Sequence, residues 1–340
     1  MRFARPAKSL FSAVSLCLLI FGITGCSSPG ASSSTTASTP PSSPEASSIY
    51  AINTTNNLVA VYSTQNASGG SIGGIQPPSG FVISTLATDT SGQLYVGGYT
   101  TQYDEILVYA ANAFGVTTPS TTPVRTIQIS GITPIGSTTA PTQLAVDHSG
   151  SVYASIEGSA SIYGFSSTAN ALTVPRIITP NGVATISGIA ADTIGNLYVL
   201  SLSGSVSTVG VLPSTSTGSI AFTRSFTVSG SSASGIAVDG SENVYLSANS
   251  SGNSQIEKFA SGASGAATPT TSITLPVPSG VSIQSTSSIR IDGGGNLFVL
   301  TATASSFGNA SYVYGYAPTG TAPFLDFILT SSNSGVFGIY

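Results

Sequence analysis

Apolar and polar positions alternate in short runs along this chain, and one form of that alternation recurs five times. The copies are Leu86-Ala-Thr-Asp-Thr-Ser-Gly-Gln-Leu-Tyr-Val96, Leu144-Ala-Val-Asp-His-Ser-Gly-Ser-Val-Tyr-Ala154, Ile189-Ala-Ala-Asp-Thr-Ile-Gly-Asn-Leu-Tyr-Val199, Ile236-Ala-Val-Asp-Gly-Ser-Glu-Asn-Val-Tyr-Leu246 and Ile289-Arg-Ile-Asp-Gly-Gly-Gly-Asn-Leu-Phe-Val299. Each alternates with the two-residue period of a half-buried strand, breaks at a four-residue polar turn and resumes in a β-rich run, which predicts a hairpin. The Asp opening each turn, at Asp89, Asp147, Asp192, Asp239 and Asp292, is a structural turn residue that accepts backbone amides. The Gly three positions on takes positive φ. Glu242 replaces that Gly in the fourth copy, where Gly240 is expected to take the strained position instead.

A third apolar run follows each hairpin, at Ile106–Tyr109, Ile162–Phe165, Val206–Val209, Ile256–Phe259 and Tyr312–Tyr316. A Ser/Ala/Gly/Pro-rich segment then leads to a fourth, at Arg125–Ile129, Arg176–Ile178, Arg224–Val228, Thr271–Leu275 and Leu325–Leu329. Four strands per repeat make a propeller blade, and the signature Asp residues, 58, 45, 47 and 53 positions apart, allow one blade per copy. The chain opens on Ile49–Ile52 and Leu58–Tyr62, which match second and third strands, with a fourth expected before Phe81. The missing first strand stands at the other end, in Gly335-Val-Phe-Gly-Ile-Tyr340. The expected fold is all-β, a six-bladed β-propeller of four-stranded blades closed by the C-terminal strand pairing in the N-terminal blade, which removes exposed sheet edges.

These repeats, Ile/Leu-Ala-x-Asp-x-x-Gly-Asn-Leu/Val-Tyr-Val and then Ile-x-Val-Tyr, resemble NHL-type propeller repeats from about Ser48 to Tyr340. The resemblance implies the fold and leaves function open, because NHL-like propellers include binding scaffolds, lyases and relatives of the lactonases. It also implies that the signature turns lie on the face opposite the ligand mouth. The chain has no Trp and no Gly-His pair, which disfavours WD40 repeats. The missing Trp also counts against quinoprotein propellers.

Ahead of the repeats, Arg2, Arg5 and Lys8 precede an apolar run from Leu10 to Ile23 that ends in Ile23-Thr24-Gly25-Cys26. Residues 1–25 read as a signal peptide, and the terminal tetrapeptide resembles the bacterial lipobox, which implies lipidation of Cys26. Several acyl chains anchor a protein stably where one does not. Ser27 after the Cys points to the outer membrane or cell surface in a diderm bacterium. Cys17 leaves with the signal peptide, so no disulfide is expected. Residues 26–47 form the lipidated Cys and a Ser/Thr/Pro-rich flexible tether, with Glu45 its one charge, and residues 48–340 form the propeller.

Loss of Arg2, Arg5 and Lys8 takes the eight basic residues to five against twelve acidic ones, a formal net charge of −7. The five are scattered, so no phosphate-binding patch exists and nucleic acid is excluded as a partner. His148, the single histidine, lies in a signature turn, so neither a Ser-His hydrolase nor a His-rich metal site can be assembled. Gly293-Gly-Gly295 lies between strands with no following helix to bind phosphate. The expected joining loops carry Asn53, Asn56, Asp104, Glu105, Glu157, Asn249, Asn253 and Asn309, read as solvated loop tips. Among these, Asp104, Glu157 and Asn249 are the candidate ligands for a hard cation such as Ca²⁺. Arg125, Arg176 and Arg224 recur at the start of the fourth strand, where edge charge discourages strand addition and, as an alternative, a row of guanidinium groups would bind an acidic glycan.

The residues point to a non-catalytic, lipid-anchored cell-envelope propeller with a surface for protein or carbohydrate binding, attached to the membrane through Cys26 and needing no cofactor. One alternative is a metal-dependent lactonase-like hydrolase or lyase with a cation site at the channel mouth, and the other is a purely structural envelope protein.

Overall fold

In a computed structural model of the chain, the described residues are 48–65, 70–114, 122–129, 140–156, 159–250, 253–277, 281–305, 308–329 and 333–339. The signal peptide, Cys26, the tether and Glu157 lie outside them. The strands gather into six sheets, one per blade, each with an antiparallel four-stranded framework, which form a six-bladed propeller. Blade 2 shows the common plan: Val82–Thr88 innermost, then Leu94–Tyr99, Asp104–Tyr109 and Arg125–Ile129. Blade 3 comprises Pro141–Val146, Val152–Ile156, Ile162–Phe165 and Arg176–Pro180; blade 4 comprises Gly188–Ala191, Leu197–Ser203, Val206–Leu212 and Arg224–Ser229. Blade 5 is built from Ser231–Val238, Val244–Ser250, Asn253–Phe259 and Thr271–Thr274, and blade 6 from Val281–Ile291, Leu297–Ser305, Gly308–Tyr316 and Pro323–Leu329.

Blade 1 closes the ring as expected. Asn333–Ile339 is its innermost strand and pairs antiparallel with Ser48–Asn53, matching Phe337 to Ala51 and Ile339 to Ile49. Leu58–Ser63 and a short Gly73–Ile75 strand complete the blade. Thr88 of blade 2 donates to the Ile339 carbonyl at 2.5 Å, which ties the closing strand to the next blade.

The Leu-Ala or Ile-Ala pair of the signature is explained by packing. Successive strand residues point to opposite faces of a blade, so the large residue meets one neighbouring blade and the small one the other. Leu86 belongs to the cluster between blades 1 and 2, and Ala87 to that between blades 2 and 3; Leu144 and Ala145 divide in the same way one blade on. Six buried apolar clusters fill the six blade interfaces, the sixth joining Phe298 and Leu300 of blade 6 to Ile49 and Phe337 of blade 1. Each fully buried Leu, Ile or Phe contributes about 1.5–3 kcal/mol. Blade 6 departs from the rule. Arg290 stands where Ala is usual, shares a face with Phe298 by register, and donates to the Ile289 carbonyl at 2.9 Å.

Two features go beyond the pattern in the sequence. The first strands carry bulges, as between Ile83 and Thr85 or Ala233 and Gly235, and a hydroxyl at the bulge bonds across blades: Ser84 donates to Pro141 O at 2.6 Å, and Ser234 to Thr286 O. In addition, blades 2, 3 and 4 each gain a short fifth strand lent by the next blade. Ala171–Thr173 pairs parallel with Arg125–Ile129, Gly218–Ile220 with Arg176–Pro180, and Gly265–Ala266 with Arg224–Ser229. One expectation is corrected: in the fourth signature turn the positive φ falls on Glu242 itself, at 61°, and not on Gly240. Glu242 N–H donates to Asp239 O at 2.9 Å, as Gly92 N–H does to Asp89 O at 3.1 Å, so the turn keeps its hydrogen bond and the substituted residue accepts the conformation.

Candidate functional site

A blade that runs inner to outer puts its first-to-second and third-to-fourth connections at one end of the propeller, and its second-to-third hairpins and links between blades at the other. At the signature end, Asp89 Oδ1 accepts the amides of Ser91 and Gln93, each at 2.9 Å, and Oδ2 accepts the Tyr95 hydroxyl at 3.2 Å. The pattern repeats at Asp147 with Tyr153 at 3.3 Å and at Asp239 with Tyr245 at 3.0 Å. Asp192, Asp239 and Asp292 also take the side-chain amide of Asn196, Asn243 and Asn296, each at 2.9 Å. Burial alone would raise the Asp239 carboxyl, but the bonds from Asn243, Tyr245 and Ser241 outweigh it and hold it below the usual carboxylate range. Tyr95 is pushed up to about 12 by burial and then by the Asp89 charge, and Tyr153, Tyr198 and Tyr245 are raised by burial and then by Asp147, Asp192 and Asp239 respectively.

The arginines complete this arrangement, which corrects the reading of them as edge charge that discourages strand addition. The Arg125 guanidinium lies 6.0 Å from the Tyr95 ring centre and donates to the carbonyls of Ser167 and Ala169 in blade 3. Arg176 covers Tyr153 at 5.7 Å and donates to its hydroxyl and to Ser214 O of blade 4. Arg224 reaches the Tyr198 hydroxyl at 3.5 Å and Ser261 O and Ala263 O of blade 5. Far from repelling an added strand, each arginine fastens the turn preceding the strand that is added. Lys258 sits over Tyr245 at 5.1 Å in blade 5. His148 is exposed, its Nδ1 3.5 Å from Thr90 Oγ1 in the neighbouring turn.

At the opposite end the hairpins are tighter than the sequence suggested, and several expected loop residues belong to strands. Asp104 and Glu105 open the third strand of blade 2 and are 1% and 8% exposed; Asn53 closes a strand and is 7% exposed. Asn249 lies in the second strand of blade 5 and accepts from Ser254 at 2.8 Å. Asp104 and Asn249 therefore stand three blades apart. Among the described residues no group of three His, Cys, Asp or Glu side chains gathers.

The mouth end of blade 2 does form a groove of about 250 Å³, lined by Ser79, Gly80, Thr100, Thr101, Gln102, Tyr103, Glu105 and Gln128. Register sets Glu105 beside Gln128 in the lining, at the outer end of a row that continues inward through Gly98 to Ile83. A Cβ on Gly98 would lie 2.1 Å from Val82 O and 2.6 Å from the Phe81 ring, so glycine is required beneath that ring. Gln128 Nε2 donates to Glu105 Oε1 at 3.0 Å. The rim is a rigid turn in which Thr100 N–H donates to Tyr103 O at 2.8 Å, while Thr100 Oγ1 accepts the Gln102 and Tyr103 amides at 3.2 and 3.0 Å. A second open groove, about 430 Å³, runs along the outer edge of blades 2 and 3 past Val124, Arg125 and Ala171.

The fold places the chain among six-bladed propellers. No family model matches it, and no curated protein matches it. Among solved structures it is similar to a luciferin-regenerating enzyme at 14% identity and a TM-score of 0.53, over 82% of this chain and 90% of that one. It is similar also to the PQQ-bound aldose sugar dehydrogenase of Streptomyces coelicolor, at 12% identity and a TM-score of 0.50, over 75% and 84%. Hydrazine synthase of Kuenenia stuttgartiensis matches at 13% identity and a TM-score of 0.44, over 69% of this chain and 62% of that one, so the chain spans less than two thirds of that protein. At these identities the likeness bears on the fold alone.

Proposed function

We propose that the protein is a non-catalytic, lipid-anchored, NHL-like propeller of the cell envelope that presents a rigid surface for carbohydrate or protein binding. The observation that carries the reading is how the framework uses its charged side chains. The signature aspartates hold turns, Arg125, Arg176 and Arg224 fasten one blade to the next, and buried Glu257 is occupied by Ser231 and Gln255 at 3.0 and 2.6 Å. At the mouth end of blade 2, Asp104 and Glu105 are buried at the start of a strand, and Glu105 is held by Gln128. Attachment through Cys26 would hold the propeller at the membrane, and the tether would leave its mouth free to meet partners.

The metal-dependent lactonase-like reading would need Asp104, Glu157 and Asn249 to share one cation, and the three-blade separation of the first from the last weighs against it. Thermal unfolding of the full chain with added Ca²⁺ and with chelator tests the choice, because a ligand that binds only the folded state must raise its melting temperature. An unchanged melting temperature is expected. A rise of several degrees would replace the proposal with the metal-dependent enzyme.

A further inference from the structure

We infer that the groove at the mouth end of blade 2 is a binding site for one unit of a neutral glycan, a proposal that rests on the surface-binding reading and assigns it a place. Four properties of the groove point to that ligand.

The first is its charge. Among the described lining residues Glu105 is the one acidic side chain and none is basic, and Glu105 is more than nine-tenths buried. A carboxylate in that position repels anionic ligands and, with no cation in the lining beside it, retains acceptor capacity for hydroxyl donors. The second is the pairing with Gln128. One amide N–H is spent on Glu105 Oε1, which fixes both groups and leaves the side-by-side Gln128 amide and Glu105 carboxylate to donate and accept together. Two adjacent sugar hydroxyls, each both donor and acceptor, match that fork.

Third, the rim carries an aromatic side chain on a hydrogen-bonded turn. Tyr103 is half-buried and both its backbone polar groups are bonded to Thr100. Little conformational freedom is lost when a sugar's C–H face packs on it. Fourth, the groove of about 250 Å³ is open at its sides, so one sugar unit can sit in it while a longer chain passes through. Thr101, Gln102 and Ser79 add hydroxyl and amide groups around the edge.

The test is titration of the full chain in detergent with maltoheptaose, cellohexaose, laminarihexaose and chitohexaose, and with polygalacturonate as the acidic comparison. Binding is read by calorimetry and by tyrosine fluorescence, which no Trp obscures. At least one neutral oligosaccharide should bind, in the roughly millimolar to high-micromolar range expected of a shallow site. Gln128→Ala and Tyr103→Ala should each weaken it at least tenfold, Glu105→Gln should weaken it with the melting temperature held, and Asn249→Ala, three blades away, should leave it unchanged. No binding of any neutral glycan, or a preference for polygalacturonate, overturns the proposal. A neutral glycan whose affinity ignores all three groove substitutions also overturns it, while leaving the wider surface-binding reading intact.

Discussion

Blades 2 to 4 and blades 5 and 6 hold to their neighbours by different means. In the first group, the fourth strand of each blade receives a short parallel strand from the next, and an arginine at its start reaches that neighbour's backbone. Blade 6 lends no such strand to blade 5, because its third-to-fourth connection is the six residues Ala317–Ala322, too short to travel outward. Side-chain packing does the joining there. Tyr312, Tyr314 and Tyr316 stand on one face of the third strand, two of their rings stacked at 6.2 Å, and Tyr314 donates to Pro276 O of blade 5 at 3.2 Å. On the opposite face of blade 6, Phe324 meets Phe298 edge-on at 6.0 Å, where blades 2 and 3 put arginine against tyrosine. The inner hairpin is thus common to all copies, whereas the outer half of each blade is set by how long one connection is.

The largest expected effect comes from breaking the ring where blade 1 closes it. Removal of residues 333–340 takes away the innermost strand of blade 1, strips Phe337 and Ile339 from the cluster between blades 6 and 1, and exposes a strand edge. We expect loss of cooperative unfolding or a fall in melting temperature above about 10 °C, since those side chains alone account for roughly 3–6 kcal/mol. A circular dichroism melt unchanged by the truncation would contradict the closure.

The next effect in size sharpens the part played by buried phenols in both groups. Tyr95 and Tyr109 ionise only at about 12, well above the unfolded value of 10.0, and Tyr314 and Tyr316 are raised further by burial, with the Asp326 charge adding to it. A group whose folded value is raised contributes stability that is complete below the unfolded value and is lost as pH rises through the folded one. Stability should therefore hold to about pH 10 and fall by several kcal/mol toward pH 12, since each tenfold weakening of a phenol's acidity on folding is worth roughly 1.4 kcal/mol. Tyrosinate absorbance and loss of β-structure should appear together. Titration of these phenols at pH 10 in a folded chain would show that they are not held in closed interfaces.

The inner hairpins and the closing strand are legible in the sequence because short apolar runs bounded by polar turns recur at the spacing of one blade. The fifth strands are not, because segments such as Ala171-Leu-Thr173 carry exposed or half-exposed side chains and follow no periodicity. Backbone pairing with a neighbouring blade creates them. The groove is half legible. Asp104 and Glu105 stand out as polar residues at a hairpin but read as loop tips, since a pair of acids interrupts the apolar run of a strand. Gln128, the partner of Glu105, carries one signal: Arg125-Thr-Ile-Gln-Ile129 alternates, so Gln128 must share a face with whatever pairs opposite it.

A smaller test bears directly on the arginine clasps. Arg224→Met keeps the bulk and removes bonds to two carbonyls of blade 5, and should cost about 1–3 kcal/mol. Lys258→Met, which removes only a contact with Tyr245 inside its own blade, should cost less than about 1 kcal/mol. Denaturant melts that showed equal losses would mean that reaching the next blade adds nothing.

The smallest expected change is a gain, at the point where the arginine clasps stop. Glu242 occupies with φ of 61° the position that Gly92, Gly150, Gly195 and Gly295 fill at 79° to 86° in the other described signature turns. All five keep the hydrogen bond to the Asp carbonyl, so the copies differ in backbone strain and in charge. A left-handed non-glycine residue costs roughly 1–2 kcal/mol, and glycine returns part of that through the freedom it adds to the unfolded chain. Glu242→Gly should thus stabilise by about 0.5–1 kcal/mol. The carboxylate also lies close enough to Tyr198 in blade 4 to help raise that phenol, so the charge needs its own control. Glu242→Ala removes the charge and keeps the Cβ, and should bring little of the gain. If alanine matched glycine, the cost of the fourth turn would be electrostatic, and the repeat's preference for glycine would need an explanation other than φ.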